Sequence, residues 1–206
     1  MPFDLQTLAQ FAYYFFGILV ITNPLSTAII FITLTEDASD KERRETAIGA
    51  AATATIILTI FTLGGMYIFN FFGISIGAFQ ITGGIVLISV GLRLLKGESK
   101  VLHHSHFEAD EVMVVPLAIP MLAGAGAITT VIVYTSNEPS MFETALIIIA
   151  IALNGILAYV ILDNSNFVKR VFKERGLRVL NRLMGLIVLS MAVEFVISGL
   201  TRAGII

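Results

Sequence analysis

Six apolar runs, each about the twenty residues a helix needs to cross a bilayer, occupy nearly the whole of this 206-residue chain. They fall near 8–34, 46–69, 75–95, 112–135, 141–162 and 180–201. Connections this short leave no room for a separate soluble domain, so lipid must cover much of the side-chain surface. The composition agrees: 56% of residues are hydrophobic and 14% charged, against roughly a quarter charged in soluble domains. The predicted fold is an all-α membrane protein with six transmembrane helices in one transmembrane domain, 1–206. The first run has no basic residue before it and is too long for a signal-peptide core, so it reads as a permanent span.

Charge and residue usage exclude several classes. Cysteine is absent, which rules out disulfides, thiolate metal sites and thiol catalysis. A net charge of −2 gives no reason to expect nucleic acid. The chain has no HExxH, P-loop or GxSxG pattern and no second intramembrane acid, so no enzyme and no cofactor is expected.

The basic residues are sorted by side. Lys41, Arg43 and Arg44 sit in the first connection, Arg93, Lys96 and Lys100 in the third, and Lys169, Arg170, Lys173, Arg175, Arg178 and Arg182 in the fifth. Of 13 Lys and Arg, only Arg202 falls on the other side. Cytoplasmic connections are enriched in Lys and Arg, so the odd connections are predicted inside. Both termini then lie outside a cell (inner or plasma) membrane.

The second half also reads as a degraded copy of the first. Glu45-Thr46-Ala47-Ile48 resembles Glu143-Thr144-Ala145-Leu146, 98 positions on, and Gly84-Ile85-Val86-Leu87-Ile88-Ser89 resembles Gly185-Leu186-Ile187-Val188-Leu189-Ser190, 101 positions on. A small gap between the pairs is therefore expected. An odd number of spans per copy inverts the second, predicting two inverted-topology three-helix repeats, about 1–100 and 110–206. Many secondary transporters use that architecture to build a midplane site.

The first and fourth spans are predicted to be discontinuous. The first carries Thr22-Asn23-Pro24-Leu25-Ser26-Thr27, and the fourth carries Pro116, Pro120 and then Leu122-Ala123-Gly124-Ala125-Gly126-Ala127. Proline lacks a backbone donor and clashes with the preceding turn. Asparagine followed by proline is a helix start signal, with Asn as N-cap and Pro at the first helical position. The bland alternative is a proline kink with small-residue helix packing.

These segments carry a family resemblance. Asn23-Pro24 with Phe31-Ile32-Thr33-Leu34-Thr35, and Pro116-Leu117-Ala118-Ile119-Pro120-Met121-Leu122-Ala123-Gly124 leading to Gly126-Ala127-Ile128-Thr129-Thr130, resemble the two signature segments of the MarC family of integral membrane proteins. Met184-Gly185-Leu186 and Ala192-Val193-Glu194-Phe195 resemble its last span. The similarity covers essentially the whole chain. It implies a six-span inner-membrane protein akin to transporters of small neutral amino acids such as glycine and alanine. Ala125 stands where the family usually has Pro, and Ser26 and Ile29 stand where a Gly and a second Pro often follow the first Asn-Pro.

An amino acid needs partners for its carboxylate and its ammonium. Two half-helix N-termini would hold the carboxylate through backbone N–H groups. The candidate substrate-binding residues are Thr22, Asn23, Pro24, Leu25, Ser26, Thr27, Ala123, Gly124, Ala125, Gly126, Thr129 and Thr130. Glu194, the one acidic residue well inside a span, is the candidate for proton coupling, with an ion pair to Arg93 as the alternative. Gln80 and Asn154 either line the pathway or hydrogen-bond between helices, the commoner role. The tract His103-His104-Ser105-His106 reads as a polar connection rather than a metal site. Residues 167–178, with Phe167, Val168, Val171 and Phe172 on one face, suggest a short interfacial helix on membrane lipid. The expected function is proton-coupled secondary transport of a small neutral amino acid by alternating access; the alternative is an exporter or channel for another small solute or drug.

Overall fold

A computed structural model describes residues 5–35, 38–96, 122–136 and 139–205. Every regular element among the described residues is a helix: α1 (Leu5–Thr22), α2 (Pro24–Leu34), α3 (Asp40–Phe72), α4 (Ile76–Lys96), α5 (Ala125–Thr135), α6 (Met141–Asp163) and α7 (Ser165–Arg202). Among the described residues, five stretches are long and apolar enough to cross a membrane: Leu5–Ile32, Asp40–Gly65, Ile76–Lys96, Met141–Asp163 and Gly176–Arg202. At 11 residues, α5 is about 16 Å long, half the hydrocarbon thickness of about 30 Å. It forms the second part of the expected fourth span. The first part, with Pro116 and Pro120, lies outside the described residues, as does the histidine tract 103–106.

Helix α5 is the centre of the bundle. Nearly all of its residues are buried, and three glycines on its neighbours make room for it. A Cβ on Gly83 would collide with Thr129, one on Gly17 with the Tyr134 hydroxyl, and one on Gly65 would lie 2.8 Å from Ile132. The long helices turn Ile56, Ile60, Leu63, Ile85, Ile156 and Leu186 outward, exposed, as a lipid-facing surface requires.

Helices α4 and α7 pack along a seam of small residues. Gly77 faces Gly199, Gly84 faces Ala192 and Gly91 faces Gly185, so the two run antiparallel. A Cβ on Gly77, Gly84 or Gly91 would come within 2.7–3.0 Å of the opposing carbonyl oxygen. Glycine is therefore required for this backbone approach, which gives the van der Waals contact that holds helices together in lipid. Leu87 and Val188 lie fully buried at the middle of the seam.

The structural landmarks recur at one interval. Asn23 and Gly124 each precede an 11-residue helix. Ser39 and Ser140 each accept a hydrogen bond from the backbone of a glutamate three residues on, Glu42 or Glu143, whose carboxylate reaches back to the serine N–H. These reciprocal capping pairs each satisfy two orphan donors at a helix start. Every one of these pairs is 101 positions apart, the spacing of Gly84 and Gly185. Glu143 thus takes the cap position of Glu42, not of Glu45, and the gap expected from the sequence match is not needed. Packing follows the same exchange: α5 lies on α3 and α4, and α2 lies on α6 and α7.

The stretch at 167–178 is the start of the continuous α7 rather than a separate helix. Its apolar residues do not share one environment, since Val168 is buried while Phe167 and Val171 are exposed.

Candidate functional site

The first break sits at Asn23, the single residue between α1 and α2. Its backbone is left-handed, with φ 40° and ψ 63°, a conformation that Asn adopts more readily than other non-glycine residues. Pro24 removes the N–H that would bond Val20. The Ser26 N–H turns to the Asn23 carbonyl at 3.1 Å and to Asn23 Oδ1 at 3.3 Å, instead of to the Thr22 carbonyl that a continuous helix would offer. Helix α2 therefore starts with its donors largely used. The Asn23 Nδ2 group is left buried and without a partner.

The second break differs. Gly124 precedes α5 in an extended conformation, φ −64° and ψ 170°, and offers no side-chain cap. Among the described residues the first bond of the turn runs from the Ile128 N–H to the Gly124 carbonyl at 3.0 Å. The N–H groups ahead of Ile128 lack the capping side chain that α2 has. Ala125 is exposed and Gly124 half-buried, so this helix start is accessible.

The two breaks meet. A Cβ on Gly126 would lie 3.3 Å from Ile21 and 2.8 Å from Leu87, so the first turn of α5 abuts the last turn of α1. A cavity of about 20 Å³ lies beside them, lined by Thr22 and Leu122 from the two break segments, Ala51, Ala54, Thr55 and Leu58 of α3, and Ile151, Asn154, Gly155 and Ala158 of α6. That is room for about one water. Asn154 Nδ2 donates to the Phe15 carbonyl at 3.1 Å and the Ala150 carbonyl at 2.9 Å, while its Oδ1 is buried with no partner.

Glu194 is not in this interior. It is exposed on α7 beside the outward-facing Val193 and Ile197, because two positions past the buried Ala192 turns a side chain by about 200°. Burial within the bundle, the premise for its role as proton carrier, is therefore not met. Nor does it pair with Arg93; the ion pair found among the described residues joins Lys41 and Glu45 at 3.8 Å on the surface.

Comparison with known proteins adds the family. The profile described as MarC family integral membrane protein matches residues 8–203. The chain belongs to the MarC family. It is 37% identical to a UPF0056 membrane protein of Pyrococcus abyssi over 201 residues, covering 97% of this chain and 98% of that one. It is 37% identical to one of Methanocaldococcus jannaschii over 205 residues, covering 97% and 98%. The UPF0056 membrane protein YhcE of Escherichia coli is 31% identical over 205 residues, 95% of each chain. No solved structure matches the chain. This is an integral multi-pass membrane protein.

In this MarC chain the other predicted residues have uneven places. Thr27, Thr129 and Thr130 are buried, and their hydroxyls donate to the carbonyls of Asn23, Ala125 and Gly126. They offer lone pairs but no free proton, and so suit a cation better than a carboxylate. Thr22 lines the cavity, Ala123 is fully buried next in sequence to the cavity-lining Leu122, and Leu25 is half-buried in the first turn of α2. Ser26 Oγ donates to Asn181 Oδ1 at 2.5 Å, tying α2 to α7. Sequence reasoning missed Asn181, although the interval of 101 pairs it with Gln80, and both are buried. It also missed Thr55 and Gly155. These two touch so closely that a Cβ on Gly155 would collide with the Thr55 hydroxyl oxygen.

Proposed function

We propose that this MarC protein is a secondary transporter of small neutral amino acids, of the glycine and alanine class, working by alternating access. The observation that carries the reading is the convergence of two helix breaks, 101 residues apart, beside one small cavity lined in part by Asn154, whose Oδ1 is buried without a partner. Backbone released from helix bonding inside a membrane is costly unless it meets a ligand or a cavity. Interrupted segments in corresponding positions of two halves are where transporters of this kind bind substrate.

The recurrence at 101 positions, the antiparallel glycine seam and the exchanged packing of α2 and α5 support two inverted-topology repeats and six spans. Arg43 bonds Ser165 and Arg44 bonds Tyr159 at one end, while Arg202 bonds Ser136 at the other. That sorting supports the orientation with odd connections inside and both termini outside.

The chemistry divides between the breaks. The uncapped start of α5 and the Asn23 Nδ2 donor suit a carboxylate, since helix N-termini attract anions. The acceptor without a donor, Asn154 Oδ1, suits an ammonium. Ala51, Ala54, Gly155 and Ala158 around the cavity suit only a small side chain. At about 20 Å³ the cavity is too small for glycine as it stands, so the walls must part for substrate to enter.

The test is uptake into liposomes holding the purified protein. Saturable glycine and alanine uptake with counterflow is expected. Conduction without counterflow would identify a channel, and no flux of any small neutral amino acid would sink the proposal.

A further inference from the structure

The residues around the cavity are matched between the two halves of the chain. Its ten lining residues form five pairs, each 100 positions apart, Thr22 with Leu122, Ala51 with Ile151 and Leu58 with Ala158 among them. That interval is one short of the 101 at which the breaks and caps recur. The buried positions of α3 and α6 keep it as well, Ala47 matching Ile147, Ala50 matching Ala150 and Ala54 matching Asn154. Corresponding helices thus turn corresponding stripes, at i, i+3, i+4 and i+7, to one shared space.

The matched side chains are unequal in size. Ile151 on α6 is the larger of its pair and Leu58 on α3 the larger of its own, so each half supplies one bulky wall residue, and both are buried. Nothing larger than glycine fits at position 155, where a Cβ would collide with the Thr55 hydroxyl oxygen. The lining is nearly all apolar. Thr22 and Thr55 return their hydroxyl protons to the Leu19 and Ala51 carbonyls of their own helices, and the Asn154 amide donates to the Phe15 and Ala150 carbonyls. An apolar space of about 20 Å³ holds one group the size of a water or a methyl.

A whole zwitterion cannot lie in such a space, but its side chain can. Thr22 and Leu122 set the cavity next to both breaks, where the proposed carboxylate donors lie. Walls drawn from corresponding positions also stay shared when the two halves exchange conformation. We infer that this cavity is the side-chain pocket of the substrate site, and that Ala54, Leu58 and Ile151 limit it to a hydrogen or one methyl. The inference rests on the transport reading. It assigns the cut-off between alanine and larger substrates to α3 and α6, not to the breaks themselves.

The test is uptake of glycine, alanine and α-aminobutyrate by the full-length protein in liposomes, read as ratios of kcat/KM. Ala54→Val, which fills the space, should lower the alanine-to-glycine ratio about tenfold or more, because one methylene in an apolar pocket discriminates by about 10–200-fold. Ile151→Val, which takes one methyl from the wall, should raise the α-aminobutyrate-to-alanine ratio about tenfold. A merely structural change would move all three substrates together. If Ala54→Val does not fold, Ile151→Val, which loses only one methyl, carries the test. Unchanged ratios in folded variants, or an equal loss of all three substrates, would overturn the pocket and leave the transport reading standing. Unsubstituted protein that takes up none of the three would remove the transport reading and the pocket with it.

Discussion

The two helix breaks of this MarC protein are similar in position and opposite in chemistry. Asn23 closes its own turn: its side chain caps α2, Pro24 has no N–H to offer, and a left-handed residue sets the angle. Gly124 closes nothing, leaving the start of α5 uncapped and reachable. One break is thus a preformed hinge whose spare chemistry is a side-chain amide. The other has no side-chain cap on the backbone donors of its first turn. The interval of 101 residues gives both breaks corresponding places in the chain, but local sequence decides how each is closed.

Asn23→Ala should show the largest effect on stability. Alanine loses the tolerance for a left-handed backbone, about 1–2 kcal/mol, and the cap, about 1 kcal/mol more. Asn23→Gly keeps the turn and should cost only a few tenths of that total. Reversible unfolding in mixed micelles would rank them, and equal losses would show that the turn does not govern the hinge.

Gly126→Val is expected next. Its Cβ would press on Leu87 and Ile21 where the breaks meet, so overpacking should cost about 1–3 kcal/mol. Glycine uptake should fall more steeply than the melting midpoint does.

Gly124→Asn makes the second break resemble the first. The extended backbone there accepts any residue, and an added cap should stabilise by a few tenths of a kcal/mol. Uptake should nevertheless decrease, because the new side chain takes the donors intended for a carboxylate. Stability and uptake rising together would erase the proposed division of labour.

Glu194→Gln should change least. Turned out of the bundle on α7, it should leave the pH profile of uptake intact. A profile flattened by this change would return the proton carrier to Glu194.

Much of this was legible before any coordinates, for reasons that are local. Asn followed by Pro is both a cap and a forced start, so the break at residue 23 follows from two neighbouring side chains. Apolar length, the one-sided basic residues and the pairing of Gly84 with Gly185 are likewise carried by the chain itself. The spacing of the second span was misread because Glu45 and Glu143 share flanking residues, while the capping role belongs to Glu42. Asn154 was open to two readings: its amide bonds the Phe15 carbonyl across helices, and the residue also lines the cavity.

Sequence alone determined that the chain lives in a membrane, where its first span breaks and which residues are small enough for close helix contact. These depend on hydrophobic length and on interactions within a turn or two. Tertiary structure alone decided that Glu194 faces outward, that Asn181 meets Ser26, and that Thr22, Thr55 and Asn154 line one cavity. Such facts depend on how each helix is rotated against its neighbours, which is set by the summed packing of glycine contacts across the bundle and is written in no single segment.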